Sequence, residues 1–484
     1  MQNKNDKKKR KFRKIVLGTV GILVVVPLLV GVYTAHKPLP KGVSVQSNFV
    51  KTDDVKLLFD VTYEDTKGDV QHEQEIVKEM YKLIDEARDF VVIDMFLFND
   101  DYNHDTLEFP TLSQDFANHL IKKKESSDIP ITVLTDPINS FYGTYDTPIY
   151  KKLRESGIDV IETNLSKLRD SNFLYAGYYK TYLRWIQPGG LKILPNALRP
   201  MDEKIGVGSY TRLLNFKANH RKTLMSEKEA IIASLNPHDG SSLHSNIAVK
   251  FNGETLHALL GSEIAALNFS EYDTSNLERY EIEDTDNRGQ YEISLVTEGK
   301  IREAIIDTID KADSEDTLKI GVFYLSDRGV IKAIKDALDR DVTIQMILDV
   351  NQDAFGNEKN GVPNKPVASE LMKHDKHPEI RWYKSHGEQY HAKFILLEED
   401  HTSTLILGSS NFTRRNLKDL NLETDLIIKA QTDSALVGSM NVYFERLWNN
   451  EEGTYTLNYE DEAEDSILKT IMYRVQEALG LSTF

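Results

Sequence analysis

The 484-residue sequence predicts an α/β protein of two pseudo-twofold-related halves, each a mixed β-sheet flanked by helices, plus one N-terminal transmembrane helix. Three observations predict this fold: a long uncharged segment near the N-terminus, an alternation of strand-like and helix-like patterns, and the occurrence of that alternation twice. A chain of this length can form two or three domain-sized cores.

The N-terminal region has the pattern of a membrane anchor. Residues 1–14 hold eight Lys or Arg against one Asp, and residues 15–35 are uncharged over roughly the 20 residues that cross a bilayer as a helix. Because positive charge is retained on the cytoplasmic side, we expect a basic cytoplasmic tail, a single-pass anchor in the cell membrane, and an extracellular body. The alternative is a cleaved secretory signal, but its apolar region is usually shorter and AHKPLP is a poor cleavage site.

The composition excludes several classes of function. The whole chain has a net charge of −17, and without the basic tail the remainder carries −24, which argues against nucleic-acid binding by bulk charge. The absence of cysteine excludes disulfides, thiolate catalysis and cysteine metal sites. Export without disulfides would suit a Gram-positive bacterium.

The two halves are predicted from an internal repeat. Residues 84–100 and 309–327 both have the pattern of a helix end followed by a buried strand, and each is followed by a helical stretch and a second strand. Each copy ends in a two-strand unit, at residues 219–239 and 390–413. The predicted segments are 45–270 for the first half, 271–290 for a polar linker, 291–450 for the second half, and 451–484 for an acidic stretch and a C-terminal amphipathic helix. We expect that helix to dock on its own domain through a stripe formed by Ile467, Leu468, Ile471, Met472, Val475 and Leu479.

Each two-strand unit carries the same four polar side chains. They are His220, Lys222, Ser234 and Asn236 in the first unit, and His391, Lys393, Ser409 and Asn411 in the second. The second unit is longer by four residues, which fall in the turn between its strands. Since residues two apart on a strand share a face, each unit should present its imidazole, ammonium, hydroxyl and amide together.

This set of side chains suits phosphoryl chemistry better than metal binding. Lysine is a poor metal ligand, and the face holds neither a carboxylate nor a second histidine. Lysine and asparagine can donate hydrogen bonds to phosphate oxygens. Two such units could cleave a phosphodiester without a metal, because one histidine could attack phosphorus while the other protonates the leaving alkoxide.

The two units resemble the paired His-x-Lys motifs of the phospholipase D superfamily, over roughly residues 70–450. The resemblance implies an active site at the interface between the halves, no cofactor or metal, and a phosphohistidine that water or an alcohol resolves. It implies that His220 is the nucleophile and His391 the acid, with phosphate held by Lys222, Lys393, Asn236 and Asn411, and with Ser234 and Ser409 binding phosphate or supporting the site.

Two carboxylate positions qualify the resemblance. The family has Asp five residues after the motif lysine, where this chain has Glu227 and Glu398, and we expect this departure to affect local packing more than chemistry. Glu423 resembles the family's carboxylate that orients a catalytic histidine. The matching stretch of the first half, LHSNIAV at residues 243–249, contains no acid.

An insertion in the first half, residues 166–218, indicates the substrate. It holds nine Lys or Arg against three acids and interleaves aromatic with cationic residues, as a segment at a membrane surface does. The alternatives are an ordinary helix pair packed on the domain, or a surface that stacks single-stranded nucleic acid.

We therefore rank a phospholipid phosphodiester, anionic such as phosphatidylglycerol, as the first substrate class. Hydrolysis would release phosphatidic acid, and transfer to phosphatidylglycerol would produce cardiolipin; the sequence does not choose between them. An exported nuclease of the same superfamily and a binding-only member are the alternatives, and the oligomeric state is not predicted.

Overall fold

The computed structural model of the chain describes residues 2–199, 203–280, 282, 288–354 and 357–482. Most of the predicted linker after residue 280 therefore lies outside the described residues, as do residues 200–202 of the insertion.

The described residues contain fourteen α-helices. They are α1 Gln2–His36, α2 Ile76–Glu86, α3 Leu112–Ser127, α4 Pro148–Glu155, α5 Phe173–Tyr178, α6 Val207–Leu213, α7 Thr255–Phe269, α8 Gly299–Lys311, α9 Arg328–Asp339, α10 Asn364–Met372, α11 Arg414–Leu417, α12 Ala435–Asn449, α13 Tyr459–Glu462 and α14 Ile467–Leu479. A π-helical turn, Tyr179–Leu183, continues α5.

The same part of the chain contains twenty-two strands. They are β1 Val50–Thr52, β2 Val55–Asp65, β3 Val70–Glu73, β4 Val91–Met95, β5 Ile131–Thr135, β6 Asp159–Glu162, β7 Lys192–Leu194, β8 Ile205–Gly206, β9 Lys222–Met225, β10 Glu229–Ala233, β11 Asn246–Asn252, β12 Tyr291–Thr297, β13 Thr317–Val322, β14 Thr343–Leu348, β15 Asp353–Ala354, β16 Asn357–Glu358, β17 Glu379–Tyr383, β18 Lys393–Glu398, β19 Thr402–Gly408, β20 Thr424–Gln431, β21 Gly453–Thr454 and β22 Thr456–Asn458.

The two large sheets have the same strand order. Seven strands of the first half run β2-β11-β10-β9-β4-β5-β6, and seven of the second run β12-β20-β19-β18-β13-β14-β17. In both sheets the last three strands are parallel and the remaining pairs are antiparallel. The prediction of two related halves, each a mixed sheet flanked by helices, is therefore confirmed.

The two sheets meet at a shared hydrophobic core. Its buried side chains come from both halves, among them Leu57 and Phe251 of the first sheet and Ile293 and Phe394 of the second. Each sheet buries its opposite face under its own helices. Burial on both faces explains why the central strands are nearly continuous apolar runs.

The N-terminal helix α1 is long and apolar enough to cross a membrane. Pro27 lies within it, and most of its large apolar side chains between Ile15 and Tyr33 are exposed in the folded chain. An apolar surface of this size requires a cover other than water. A membrane anchor is compatible with these properties.

The insertion packs closely along the C-terminal part of α1. Gly31 of α1 and Gly177 of α5 lie in this contact, and a Cβ atom on either glycine would collide with a backbone carbonyl of the other helix. The Tyr182 hydroxyl donates to the carbonyl oxygen of Leu23 at 3.1 Å. Small residues that allow two backbones to approach are typical of helix pairs in membranes.

The C-terminal helix α14 docks differently from the prediction. It buries Tyr473 and Glu477, and the Glu477 carboxylate accepts a hydrogen bond from the Ser326 hydroxyl at 2.7 Å. Ile467 and Leu468 are 76% and 77% exposed. The predicted apolar stripe is wrong as the docking face because polar contacts of Glu477 and the packing of Tyr473 decide which side faces the domain.

Candidate active site

The two motif histidines lie where the two halves join. Each histidine is two residues before a lysine that begins a central strand, β9 or β18. The backbone N–H of His220 donates to the carbonyl of Leu422 at 2.9 Å, and that of His391 donates to the carbonyl of Ser245 at 2.8 Å. Each half thus holds the backbone of the other half's histidine.

Both histidines line one cavity of about 160 Å³. Their exposed fractions are only 8% and 6%, so the reacting groups are largely shielded from water. The same cavity is lined by Asn236 of the first half and Asn411 of the second. The structure therefore brings both predicted histidines and both predicted asparagines to one place between the halves.

A buried carboxylate orients His220. The Nδ1 atom of His220 lies 2.9 Å from Oε1 and 3.0 Å from Oε2 of Glu423. Glu423 also accepts hydrogen bonds from the Ser409 hydroxyl at 2.5 Å and from the Asn416 amide. Because the carboxylate accepts a hydrogen bond from Nδ1–H, the lone pair of a neutral ring is on Nε2.

An amide occupies the matching place beside His391. The Nδ1 atom of His391 lies 3.2 Å from Oδ1 of Asn246, which also accepts from the Ser234 hydroxyl at 3.1 Å. Asn246 belongs to the stretch in which the sequence shows no acid. The two histidines are thus held in the same way, but only His220 has a negative partner.

The two motif lysines are fully buried beside the cavity. The Lys222 ammonium donates to the carbonyl of His220 at 2.8 Å, and the Lys393 ammonium donates to that of His391. They lie 5.3 and 5.4 Å from the ring centres of Phe96 and Phe323, which occupy matching positions after β4 and β13. This contact of cation and aromatic face fixes each ammonium group close to its histidine.

Four basic side chains are buried close together in the site. Burial lowers the pKa of Lys222 to about 7, and it lowers the pKa of Lys393 well below the ordinary value, with Lys222 adding to the effect. Burial and the two lysines also lower the pKa of His220 and His391. Burial raises the pKa of Glu423, and Lys222 opposes that shift. An anion in the cavity would stabilise the protonated forms of all four basic groups.

One segment of the chain matches a known family model. Residues 305–448 match the family model described as cardiolipin synthase, PLD-like domain. The matched segment contains the second motif, and the strand order of that half recurs in the first. The match covers the second half alone, and there it agrees with the superfamily that the paired motifs predict.

A solved structure that aligns with nearly the whole chain shows the same fold. Phosphatidylserine synthase from Haemophilus influenzae Rd KW20 aligns with 94% of this chain and 98% of its own, at 10% sequence identity and a TM-score of 0.55. A phospholipase D family member from Salmonella typhimurium aligns with 34% of this chain and 97% of its own, at 17% identity and a TM-score of 0.27. No curated protein matches the chain.

Two predicted site residues lie away from the cavity that both histidines line. Glu227 accepts the backbone N–H groups of Arg88 and Asp89 at 3.0 and 3.2 Å. Glu398 accepts from the Asn441 amide at 2.6 Å and lies 3.2 Å from the Lys319 ammonium. Ser234 and Ser409 do not reach the cavity wall either; they hold Asn246 and Glu423.

Several cavity residues were not predicted from the sequence. They are Phe96, His244, Phe323, Lys359 and Arg415. The matched positions of Phe96 and Phe323 in the two repeats were a usable signal. His244, whose ring centre lies 5.7 Å from that of His391, and the cations Lys359 and Arg415 have no counterpart in the repeat pattern. Within the described residues, no group of three or more His, Asp or Glu is placed to hold a metal ion.

Proposed function

We propose that the protein is a phospholipase D-type phosphodiesterase or phosphatidyltransferase that acts on a membrane phospholipid through a covalent phosphohistidine. The observation that carries this proposal is the asymmetric pair of histidines in one buried cavity, one held by a carboxylate and the other by an amide. A nucleophile and an acid need different environments, and these two partners supply them.

In the first step, Nε2 of His220 attacks phosphorus. As the N–P bond forms, the ring becomes positively charged, and the Glu423 carboxylate stabilises that charge through Nδ1. Lys222 and Lys393 lie beside the two histidines and can stabilise the negative charge on the phosphoryl oxygens, while the amides of Asn236 and Asn411 can donate to them. The P–O bond to the head group then breaks.

His391 acts as the acid in that step. Its protonated ring gives a proton to the departing alkoxide, so that the head group leaves as a neutral alcohol. In the second step the now neutral His391 takes a proton from water or from an acceptor alcohol, whose oxygen attacks phosphorus and frees His220. Water produces phosphatidic acid, and phosphatidylglycerol as acceptor produces cardiolipin.

The membrane location is supported by the insertion. Its helix α5 lies directly against α1, so an anchor that spans the bilayer would place the insertion at the membrane. The insertion exposes apolar and aromatic side chains, and Trp185 is 69% exposed under the Arg184 guanidinium. Such pairs of aromatic and cationic groups suit the head-group region. We propose that the basic tail is cytoplasmic and the site extracellular.

Product analysis tests the proposed function. The full chain is incubated in detergent micelles with phosphatidylglycerol and EDTA, and the lipids are separated. Phosphatidic acid is expected if water resolves the phosphohistidine, and cardiolipin with free glycerol is expected if the lipid alcohol does so. Cleavage of single-stranded DNA with no lipid product would support the nuclease alternative. If lipid products form without EDTA but neither forms in its presence, the reaction depends on a metal, which would contradict metal-independent chemistry.

The amide beside His391 predicts a specific pH dependence. Burial and Lys393 lower the pKa of His391, so as the pH rises its ring loses the proton earlier than an ordinary histidine, whose pKa is about 6.5. The maximum of kcat/KM should therefore lie below pH 6.5, and kcat/KM should fall as the pH rises further. Asn246→Asp places a carboxylate beside the ring and favours the protonated form. We expect the alkaline limb of kcat/KM to move to higher pH by about one unit.

The pH profile is measured with a soluble short-chain phosphodiester. Ser234→Ala is the control, because it removes the hydrogen bond to Asn246 without adding charge, and its alkaline limb should stay in place. An alkaline limb that is unmoved or shifted to lower pH in Asn246→Asp would show that His391 is not the acid.

A further inference from the structure

A second cavity lies between the insertion and the first half, and we call it the anchor cavity. Its volume is about 500 Å³, and its lining includes Tyr142, Glu162, Lys180, Arg212 and Lys217. None of these residues lines the catalytic cavity. The anchor cavity is large enough for a lipid head group and is not used by the proposed reaction.

The cations of the anchor cavity gather around one buried carboxylate. The ammonium groups of Lys180 and Lys217 each lie 2.7 Å from a different oxygen of Asp170, which is fully buried. The Lys37 ammonium donates to the carbonyl of Ser166 at 2.7 Å. Burial together with the neighbouring lysines lowers the pKa of Lys37 to about 8. Two ammonium groups therefore contact one carboxylate, and a third ammonium group lies nearby.

The other acids of the lining neutralise this cluster only in part. Glu162 and Glu271 also line the cavity, but Glu271 is exposed to water and burial raises the pKa of Glu162. The guanidinium of Arg212 adds a further positive charge, and its Nε atom is buried with no hydrogen-bond partner within the described part of the chain. A buried donor without a partner is costly, and an anion would satisfy it.

The location of the anchor cavity limits the source of that anion. Lys37 directly follows the last residue of α1, so the cluster lies where the anchor ends. Lys217 precedes Ala218, which lines the catalytic cavity. A phosphate held here would lie at the head-group level of the leaflet that α1 leaves, next to the reaction site.

We propose that the anchor cavity binds the phosphate group of an anionic phospholipid from that leaflet, as a second lipid site beside the catalytic cavity. The Lys180, Lys217 and Arg212 side chains hold the phosphate, and the apolar surface of α1 and α5 accommodates the acyl chains. The proposal rests on the proposed function only for the membrane position of α1; it requires no turnover.

Calorimetric titration with dihexanoyl phosphatidylglycerol, below its micellar concentration, tests the proposal. The full chain carries His220→Asn, which prevents turnover, and is compared with the same chain that also carries Lys180→Gln and Arg212→Gln. Each lost cation should weaken phosphate binding by about tenfold. We expect one molar equivalent less of bound lipid in the cavity variant. Arg212→Gln alone removes one contact and should weaken the binding of lipid in the anchor cavity by about tenfold. This single variant keeps the test valid if the double variant fails to fold.

Arg184→Gln with Lys192→Gln is the matched control, since both cations belong to the insertion but do not line the cavity. This variant should bind as many equivalents as the parent. If the catalytic cavity takes up no lipid, both the parent and the cavity variant bind one equivalent fewer than they would otherwise. The difference of one equivalent between the two proteins remains. Equal stoichiometry and affinity in parent and cavity variants would overturn the proposal. Binding of glycerol 3-phosphate as tight as that of the lipid would overturn the lipid assignment.

Discussion

Replacing His220 with Asn is expected to lower phosphodiester turnover by at least about 10⁴-fold, because it removes the side chain that forms the covalent bond to phosphorus in the proposed reaction. Replacing His391 with Asn should lower turnover of a lipid by about 10²- to 10⁴-fold, because the alkoxide then leaves without a proton. Stopped-flow assays of both variants on short-chain phosphatidylglycerol measure these losses.

The leaving group separates the two roles. A p-nitrophenyl phosphodiester needs little protonation to depart, so the His391→Asn enzyme should still form the phosphoenzyme and release one equivalent of nitrophenol. The His220→Asn enzyme should release none. Mass spectrometry of the quenched protein locates the phosphoryl group. A phosphoryl group on His391, or bursts of equal size in both variants, would reverse or refute the assignment.

Glu423→Gln is the second change with a large expected effect. The glutamine amide can donate to Nδ1 of His220 and stabilise the wrong tautomer, and it removes the negative charge that opposes the charge of the phosphohistidine. By analogy with an acid-to-amide change beside a catalytic histidine, we expect kcat to fall by roughly 10³- to 10⁴-fold with little change in KM.

Ser409→Ala is the comparison for Glu423→Gln. It removes one of the hydrogen bonds that hold the carboxylate but leaves its charge, so kcat should fall by no more than about tenfold. Near-ultraviolet circular dichroism of both variants checks that the core is intact. A Glu423→Gln enzyme within tenfold of the wild type would mean that the carboxylate only supports packing.

Much of the fold could be predicted because the same pattern of strands and helices occurs twice in the sequence. A helix end followed by a buried strand, at residues 84–100 and again at 309–327, led to the repeated sheet, and the spacing of His, Lys, Ser and Asn in the two-strand units led to the site. Both signals are local, since alternation along a strand decides which side chains share a face. The pairing of Glu423 with a histidine was also expected, although not that the histidine belongs to the other half.

Other features depend on contacts between distant segments. Asn246 gains its role only because the halves cross, so that the first half's β11 meets the second half's histidine. Arg415 lies in the short helix α11 and Lys359 directly follows β16, and no periodic pattern predicts the positions of these segments. The predicted docking face of α14 was wrong for a similar reason, because Glu477 accepts a hydrogen bond from Ser326, which is distant in the sequence.

The exchange of backbone hydrogen bonds between the halves affects when the protein becomes chemically competent. His220 receives both its backbone acceptor and its carboxylate from residues more than two hundred positions later in the chain. A chain that has been synthesised only through its first half lacks both groups. The proposed nucleophile therefore has neither its backbone acceptor nor its carboxylate until the second half has been made and has folded against the first.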